Sequence, residues 1–436
     1  MAIFNDYHLL YNIKIIGGYM DNHANEINKL SRELGLLSNY EFNMDELKNL
    51  SPLDSTSSSI YIGDNLTYLQ GLSKTSPKTI DFCYIDPPYN TGNKIIYHDN
   101  RKSVSSDIFG LHNEWMSFLL PRLFHAHKML KDTGIIAISI DDYEFAHLKI
   151  LMDKIFGEDN FIGNIVVCRS KNGKGSKRNI ASAHEYLLVY GKSDMAELSG
   201  QPDDKSLYDK VDCFGEYRID GMFRKKGDSS LRTDRPNMFY PLYFNPSTGE
   251  VQVEPELGLK TVYPIDSKGI ERRWLWSKET ARERSWELFA SKNGVVYVKN
   301  YSSSHKRIKV RTLWNDSSFY TERATNEITK IFGSKVFDTP KALNYIMSII
   351  NCMAKPDALI LDFFAGSGTT AHAAAVLNSL DGGSRKTILM ESNHPITKTH
   401  IAYKSGFRKI SDITISRLNY VSDNFPDFKY KKIEII

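Results

Sequence analysis

Residues 84–93 read YIDPPYNTGN and close a near-continuous apolar run, TIDFCYID (79–86). Open α/β sheets place their reacting groups at the carboxyl ends of such strands. Two consecutive prolines make this corner stiff, because each fixes its own φ and narrows the residue before it. Asp86, Pro87, Pro88 and Tyr89 can therefore hold a carboxylate, a main-chain carbonyl and an aromatic ring in one geometry. A turn that only reversed the chain would have no need of the ring.

A second motif, LILDFFAGSGTTAHAAA (359–375), runs from a buried strand through a glycine-rich turn into a small-residue helix. Gly366 and Gly368 let the main chain approach a ligand closely, and the helix start offers free N–H groups. The motif is neither G-x-G-x-x-G nor a phosphate loop ending in Gly-Lys-Ser/Thr. It suits a nucleotide carrying a carboxylate in place of a pyrophosphate; the plainer reading is a turn that closes an α/β unit without a ligand. Asp362 ends the strand, Phe364, Ala365, Gly366, Ser367 and Gly368 form the turn, and Glu391 ends the next strand, RKTILMES (385–392). An acid at that point can hold two ribose hydroxyls.

The elements that must position these motifs alternate. Strands are expected at 59–64, 79–86, 134–141, 160–169, 184–192, 357–362 and 385–392. Helices are expected at 22–36, 65–72, 112–134 (stopping at Gly134), 144–157, 341–354 and 369–380. Strands alternating with helices imply a doubly wound, mostly parallel sheet. Residues 193–315 break this rhythm with Tyr, Arg, Trp and turn residues, and NPSTGE resembles a hairpin turn, so a β-rich insert is expected there. The division is 1–57 as an N-terminal helical arm, 58–192 and 316–436 as the two halves of one α/β domain, and 193–315 as the insert. Met20 offers an alternative start to the chain.

The 436 residues allow two to three domains. No apolar stretch reaches membrane-spanning length, and the N-terminus has no basic leader or small-residue cleavage site, so no secretory signal is expected. Cys83, Cys168, Cys213 and Cys352 are scattered without a C-x-x-C pair, which suggests no disulfide framework and no metal site, and a cytoplasmic setting. A net charge of +4 is too mild to imply nucleic acid by itself. Local clusters say more: Lys171, Lys174, Lys177 and Arg178 share an acid-free segment, as do Lys306, Arg307, Lys309 and Arg311. Each suits phosphate contacts or, as readily, a solvated loop.

With both motifs in hand, the chain resembles the amino-group DNA methyltransferases, in the subgroup where Asp-Pro-Pro-Tyr precedes the cofactor loop. Here Asp86–Tyr89 stands before Phe364–Gly368 with the insert between them. The flanks YIDPPYNTGN, the helix around Trp115, SIDDYEFAHLKILMDKIFGEDNF, HEYLLVY, RPNMFYPLY and FDTPKAL are similar to modification subunits of type III restriction-modification systems, over roughly residues 58–420. The resemblance implies a Rossmann-like methyltransferase sheet in circularly permuted motif order, with the insert as target-recognition domain. It implies S-adenosylmethionine as cofactor, double-stranded DNA as substrate, and a second copy and a restriction subunit as partners. It makes Asp86, Pro87, Pro88 and Tyr89 catalytic, with Asp86 and the Pro87 carbonyl accepting from the N6 amine of a flipped-out adenine. Phe364 to Gly368, Asp362 and Asp86 line the cofactor, Glu391 binds its ribose, and Thr339 and Lys341 hold its carboxylate; for Lys341 a solvated helix start is the other reading. Asp64 serves the adenine end of the cofactor or simply forms its turn. Asp141 and Asp142 are expected to support the site without reacting. Arg218, Arg224, Arg232 and Arg235 are candidate DNA contacts, and Trp274, Trp276 and Trp286 are expected in the insert's core. The rival readings are N4-cytosine methylation, an RNA base as target, and a non-catalytic DNA-binding specificity module.

Overall fold

The computed structural model describes residues 22–36, 40, 50–91, 110–173, 179–303 and 306–434. They form two compact units, one built from the chain up to Gln201 and from Lys309 onward, the other from Pro202–Ile308. No helix among the described residues is long and apolar enough to cross a membrane.

The larger unit is organised by a nine-stranded sheet. Its strands are β1 (Ser58–Ile62), β2 (Ile80–Ile85), β3 (Leu130–Ile140), β4 (Phe161–Cys168), β5 (His184–Gly191), β6 (Leu313–Trp314), β7 (Leu359–Asp362), β8 (Lys386–Glu391) and β9 (Tyr430–Glu434). Their order across the sheet is β6-β4-β5-β3-β2-β7-β8-β1-β9. Every pairing is parallel except those of β5, which runs against both β3 and β4.

Alternating burial explains the apolar runs. In β2, Cys83 and Ile85 enter one core and Phe82 and Tyr84 the other; in β1, Tyr61 faces opposite to Ile60 and Ile62. Successive side chains point to opposite faces, so a strand covered on both must be apolar throughout. The first core is filled by α1 (Asn22–Glu33), α2 (Asn65–Thr75), α3 (Asn113–Met129) and α4 (Phe145–Phe156), through residues such as Ile27, Leu69, Leu123 and Leu151. After α5 (Thr321–Phe332), the opposite face is covered by α6 (Leu343–Met353), α7 (Thr369–Asp381) and α8 (Ile410–Asn424). In α6, Ile346, Ile349, Ile350 and Met353 recur at helical spacing on the buried side.

Two central strands decide where a site can form. β2 and β7 are parallel neighbours, with Ile360 opposite Phe82 and Leu361 opposite Cys83. From β2 the chain crosses to β3 on one side; from β7 it crosses to β8 on the other. The crevice at their carboxyl ends is therefore a topological switch point.

The smaller unit is antiparallel. Leu242–Phe244 pairs with Val251–Gln252 through the NPSTGE turn and with Lys260–Val262. A four-stranded sheet joins Leu288–Ala290, Val296–Tyr301, Gly215–Met222 and Lys210–Asp212. Phe223 and Trp274 stack with ring centroids 5.2 Å apart in its core, and Trp276 packs against it. Trp286 departs from expectation: it is 40% exposed, beside Phe214 and Tyr301.

Other departures have local causes. The third helix ends at Met129, not Gly134, because Leu130 already pairs with Ile80 and the strand then shifts register before Phe82–Ile135. Gly134 sits inside this irregular stretch, where an added Cβ would lie 2.8 Å from the Lys131 carbonyl. Residues 193–201 and 309–315 belong with the larger unit, where Leu313–Trp314 adds an edge strand beside β4. Helices α5 and α8 and edge strand β9 have no counterpart in the expected elements. Of the N-terminal arm, α1 lies in the first core beside α3; residues 1–21 lie outside the described residues.

Gly134→Val is expected to cost about 1–3 kcal/mol through this clash. Urea denaturation should show a lower midpoint with an unchanged slope. An unchanged midpoint would mean that the strand accepts a Cβ there.

Candidate active site

The chain leaves β2 at Asp86 and is pinned at once. Trp115 of α3 donates its Nε1–H to the Pro88 carbonyl at 2.6 Å. Asn90, buried and at φ 54°, donates to the Leu111 carbonyl at 3.0 Å and to Glu144, whose carboxylate also meets His112 Nδ1 at 2.8 Å. The residues on either side of the Pro88 anchor carry the functional groups. The Pro87 carbonyl accepts no hydrogen bond from the described residues. Tyr89 donates its hydroxyl to Asp86 Oδ1 at 2.7 Å.

Lys341 joins this corner from the segment before α6. Its Nζ lies 2.6 Å from Tyr89 Oη, 2.9 Å from Glu185 Oε2 and 3.0 Å from Asp86 Oδ1. Arg169 completes the set, with Nε 3.4 Å from Glu185 Oε2 and Nη1 donating to the Phe319 carbonyl at 2.8 Å. Two carboxylates and two cations are thus gathered where little water reaches. Burial pushes the Asp86 carboxyl above its ordinary range, while the Lys341 ammonium pulls it down. Glu185 goes the other way: its burial is outweighed by Arg169 and Lys341, so its carboxyl is held below the usual value. Burial, reinforced by the Asp86 charge, lifts the Tyr89 phenol well above its ordinary value, so Tyr89 stays a neutral donor.

The glycine-rich turn is built from its own main chain. Asp362, at the end of β7, accepts from Phe364 N at 3.0 Å and from the Thr370 hydroxyl at 2.5 Å. Both its oxygens serve the turn itself, and burial pushes its carboxyl up to about 7. Glu391, at the end of β8, accepts from Gly366 N at 2.6 Å and from Ser392 N at 2.8 Å. Gly366 has φ +56°, and a Cβ there would meet the Phe337 ring at 3.3 Å. A side chain is thus strained by conformation and would press on that ring. Ala365 N bonds to the Met390 carbonyl at 3.2 Å. Phe364 lies 6.0 Å from Phe118, ring centre to ring centre.

α8 holds the turn from behind. Thr414 donates to the Gly366 carbonyl at 2.6 Å. Arg417, fully buried, donates to Thr369 Oγ1 at 2.9 Å and Ser367 Oγ at 3.2 Å and pairs with Glu327 of α5. Burial lowers its pKa, with the Glu327 charge opposing.

The remaining expected residues are distributed unevenly. Asp64 is half exposed and pairs with Arg122 at 3.0 Å; Arg122 also holds Asn65, which donates to the Phe363 carbonyl at 2.6 Å. Thr339 is exposed in the segment whose Phe337 abuts Gly366. Lys341, expected at a cofactor carboxylate, has its ammonium on Asp86, Tyr89 and Glu185. Asp141 lies beyond β3, pushed up to about 7 by burial. Lys171 is exposed, whereas Lys174, Lys177 and Arg178 lie outside the described residues. Arg169, at the head of that basic segment, is buried against Glu185 and has no free face for a phosphate. In the insert, Arg218, Arg224 and Arg232 pair with Asp203, Asp266 and Glu271, while Arg235 is exposed. Glu185, Arg417 and Thr414 escaped the sequence reading. The signal for Glu185 was a charge opening the otherwise apolar run HEYLLVY.

Arg417→Met should strip the largely buried Glu327 carboxylate of its guanidinium partner, leaving it the Leu343 amide, a loss of at most about 3–5 kcal/mol. Adding Glu327→Leu should recover part of it, by comparison of denaturation midpoints. For Asp362, a folded-state pKa near 7 against 3.8 unfolded means that the folded chain binds the proton more tightly. Stability of the wild type relative to Asp362→Asn should therefore fall as pH rises from about 4 to about 7 and level off above. A flat difference would place the ionised form in the turn.

The sequence profile of a family described as DNA methylase, covering N6 and N4 enzymes, matches residues 80–399. The EcoPI Mod subunit of a type III restriction-modification enzyme, from Escherichia phage P1, is 30% identical over 421 residues, covering 86% of this chain and 64% of the relative. The StyLTI Mod subunit from Salmonella typhimurium is 33% identical over 390 residues, with coverages of 83% and 56%. The chain thus spans about three fifths of the length of these curated relatives. Among solved structures, the PvuII DNA methyltransferase (cytosine-N4-specific) is 13% identical, with a TM-score of 0.38, covering 88% of this chain and 99% of that one. The M1.HpyAVI–SAM complex is 13% identical with a TM-score of 0.33, covering 80% and 98%.

Proposed function

Since this chain belongs to the N6/N4 DNA methylase family, we propose that it methylates the N6 amine of adenine in double-stranded DNA, taking the methyl group from S-adenosylmethionine. The observation that carries the reading is the parallel pairing of β2 with β7. It brings the Asp86–Tyr89 corner and the 363–368 turn to one crevice.

The residues of the turn fit such a cofactor. Gly366 adds no side chain to the turn, Glu391 places a carboxylate at the next strand end, and Phe364 supplies an apolar wall. Phe364 to Gly368 would hold the methionine part, Glu391 the ribose, and Asp64 the adenine end. S-adenosylmethionine, when bound there, supplies a methyl group on a positively charged sulfur, a leaving group that needs neither metal nor general acid.

What the protein must add is a better nucleophile and its alignment. The lone pair of an exocyclic amine is delocalised into its ring. Asp86 and the Pro87 carbonyl can accept its two N–H bonds, drawing the nitrogen toward a pyramidal shape and stabilising the positive charge that grows on it. The proline-fixed corner and its Trp115 and Asn90 anchors hold these acceptors in place, so alignment costs nothing at the moment of reaction. The target atom lies inside a duplex, so the base must be flipped out. Tyr89, beside Asp86, would stack on it for about 1–3 kcal/mol.

Adenine over cytosine rests on Asp, not Ser, at position 86 within the family pattern. The insert would read the DNA sequence, with Lys171 and its basic neighbours on the backbone. The relatives are Mod subunits of type III restriction-modification enzymes, which supports reading this chain as a modification enzyme of such a system; a second copy and a restriction subunit are the partners proposed for it.

The test is transfer of a tritiated methyl group to DNA, with nucleoside analysis of the product. N6-methyladenine is expected. Asp86→Ala should lower the rate by about 100- to 1,000-fold, as loss of a preorganised acceptor does, and Tyr89→Ala by a smaller factor. Equal incorporation by wild type and Asp86→Ala would defeat the mechanism, and N4-methylcytosine would replace the target base.

A further inference from the structure

Asp86 does not use its two oxygens alike. Oδ1 accepts from Tyr89 Oη and faces the Lys341 ammonium at 3.0 Å, while Oδ2 has no hydrogen-bond partner among the described residues. A quarter of the Asp86 side chain remains open. The oxygen left for a substrate is therefore Oδ2. What keeps Oδ1 occupied is Lys341, only 9% exposed, and what keeps Lys341 there is Glu185 on its other side at 2.9 Å. A lysine facing Asp86 alone would be free to swing onto both oxygens and block the acceptor.

We propose that Glu185 and Lys341 are positioning residues for methyl transfer: Glu185 anchors the Lys341 ammonium on Asp86 Oδ1 and the Tyr89 hydroxyl, so that Asp86 offers Oδ2 to the substrate amine. The inference rests on the transferase reading above. Charge supports it as well as geometry. Lys341 by itself would offset the negative field that Asp86 exerts on the reacting nitrogen. Glu185 cancels that ammonium, and Arg169 in turn supports Glu185 from the far side. The cluster thus sets two carboxylates against two cations. Glu185 Oε1 is buried without a hydrogen-bond partner among the described residues, so its anchoring falls entirely on Oε2, the atom that meets Lys341 and Arg169.

The two residues have opposite electrostatic effects on Asp86: Lys341 lowers its pKa and Glu185 raises it. The other groups facing this cluster are Tyr84, Tyr89 and Tyr345, Asp362 behind β2, and Asp141 beyond β3. The same two charges also act on these groups: Glu185 raises Tyr84, Tyr89 and Tyr345, and at Asp141 Lys341 lowers while Glu185 raises, so the readout is taken at Asp86 itself. Opposed shifts report that both charges face Asp86 in the folded protein, and the transfer rate at saturating cofactor, set beside cofactor affinity, separates positioning from a hold on the cofactor carboxylate.

The experiment uses the full chain as wild type, Glu185→Gln, Lys341→Met and Lys341→Arg. Single-turnover methylation is followed across pH at saturating S-adenosylmethionine, and cofactor affinity is measured by calorimetry. Carbon-13 NMR titration of Asp86 in the free protein gives a readout that needs no turnover. Glu185→Gln and Lys341→Met should each slow the transfer step by about 10- to 100-fold, the equivalent of losing one hydrogen bond to a charged group. Cofactor affinity should stay within about 3-fold of wild type, a factor worth well under one hydrogen bond. The Asp86 titration should move to lower pH in Glu185→Gln and to higher pH in Lys341→Met, and Lys341→Arg should restore it toward wild type. Weakened cofactor binding with a normal rate at saturation would make Lys341 a cofactor ligand and overturn the proposal. Shifts of the same sign, or none, would overturn it too. A wild type that transfers no methyl group at all would sink the transferase reading, while opposed NMR shifts would still uphold the pair's hold on Asp86.

Discussion

The lateral pairing of β2 with β7 is the contact on which the site depends. The two strands come from distant parts of the chain, yet their carboxyl ends must lie side by side for the acid corner and the glycine turn to share a crevice. Burial on both faces enforces this. Phe82 and Tyr84 feed one core and Cys83 and Ile85 the other, so a slip of one residue would exchange every side chain between cores of different shape. The helices that cover the two faces protect that register, and the chemistry inherits its accuracy from packing some distance away.

The electrostatics follow from the same burial. Carboxylates taken out of water are tolerated only with partners, and here the partners come from four places: the corner after β2, the end of β4, the start of β5 and the segment before α6. Asp86, Glu185, Lys341 and Arg169 balance in number, which lets an acid remain available at a depth where an isolated one would take up a proton. The turn uses a different solution. Asp362 and Glu391 satisfy main-chain amides, and the buried Arg417 ties the small side chains at the helix start to α5 and α8. One half of the crevice is held by charge balance, the other by carboxylates folded into backbone.

Much of this was legible in the amino acids. The apolar runs ending in Asp86 and Asp362 announce strands covered on both faces, and the prolines and glycines mark where each strand stops. Glu185 was hidden for a geometric reason. Reacting groups are sought where strands end, but β5 runs against its neighbours, so its first residues lie level with the last residues of β2 and β3. Strand direction is a property of pairing and leaves no trace in periodicity. Lys341 was visible, yet its partner was not, because a lysine before a helix looks the same whether it meets a ligand or two buried acids. The end of α3 was misjudged because KMLKDTG carries a helix-stop glycine, while the structure uses that glycine inside a strand where no Cβ fits. Arg417 sits in a helix that no motif marked, and only its burial reveals its hold on the turn.

The β-rich unit from Pro202 to Ile308 leaves the α/β chain once and returns once, and it carries an apolar centre of its own around Phe223 and Trp274. Such a cassette can be exchanged by two crossovers in the gene without disturbing a single strand of the large sheet. On the reading proposed above, in which this unit reads the DNA sequence, new target sequences would be acquired wholesale by recombination, faster than by stepwise substitution, with the proposed transfer site inherited unchanged.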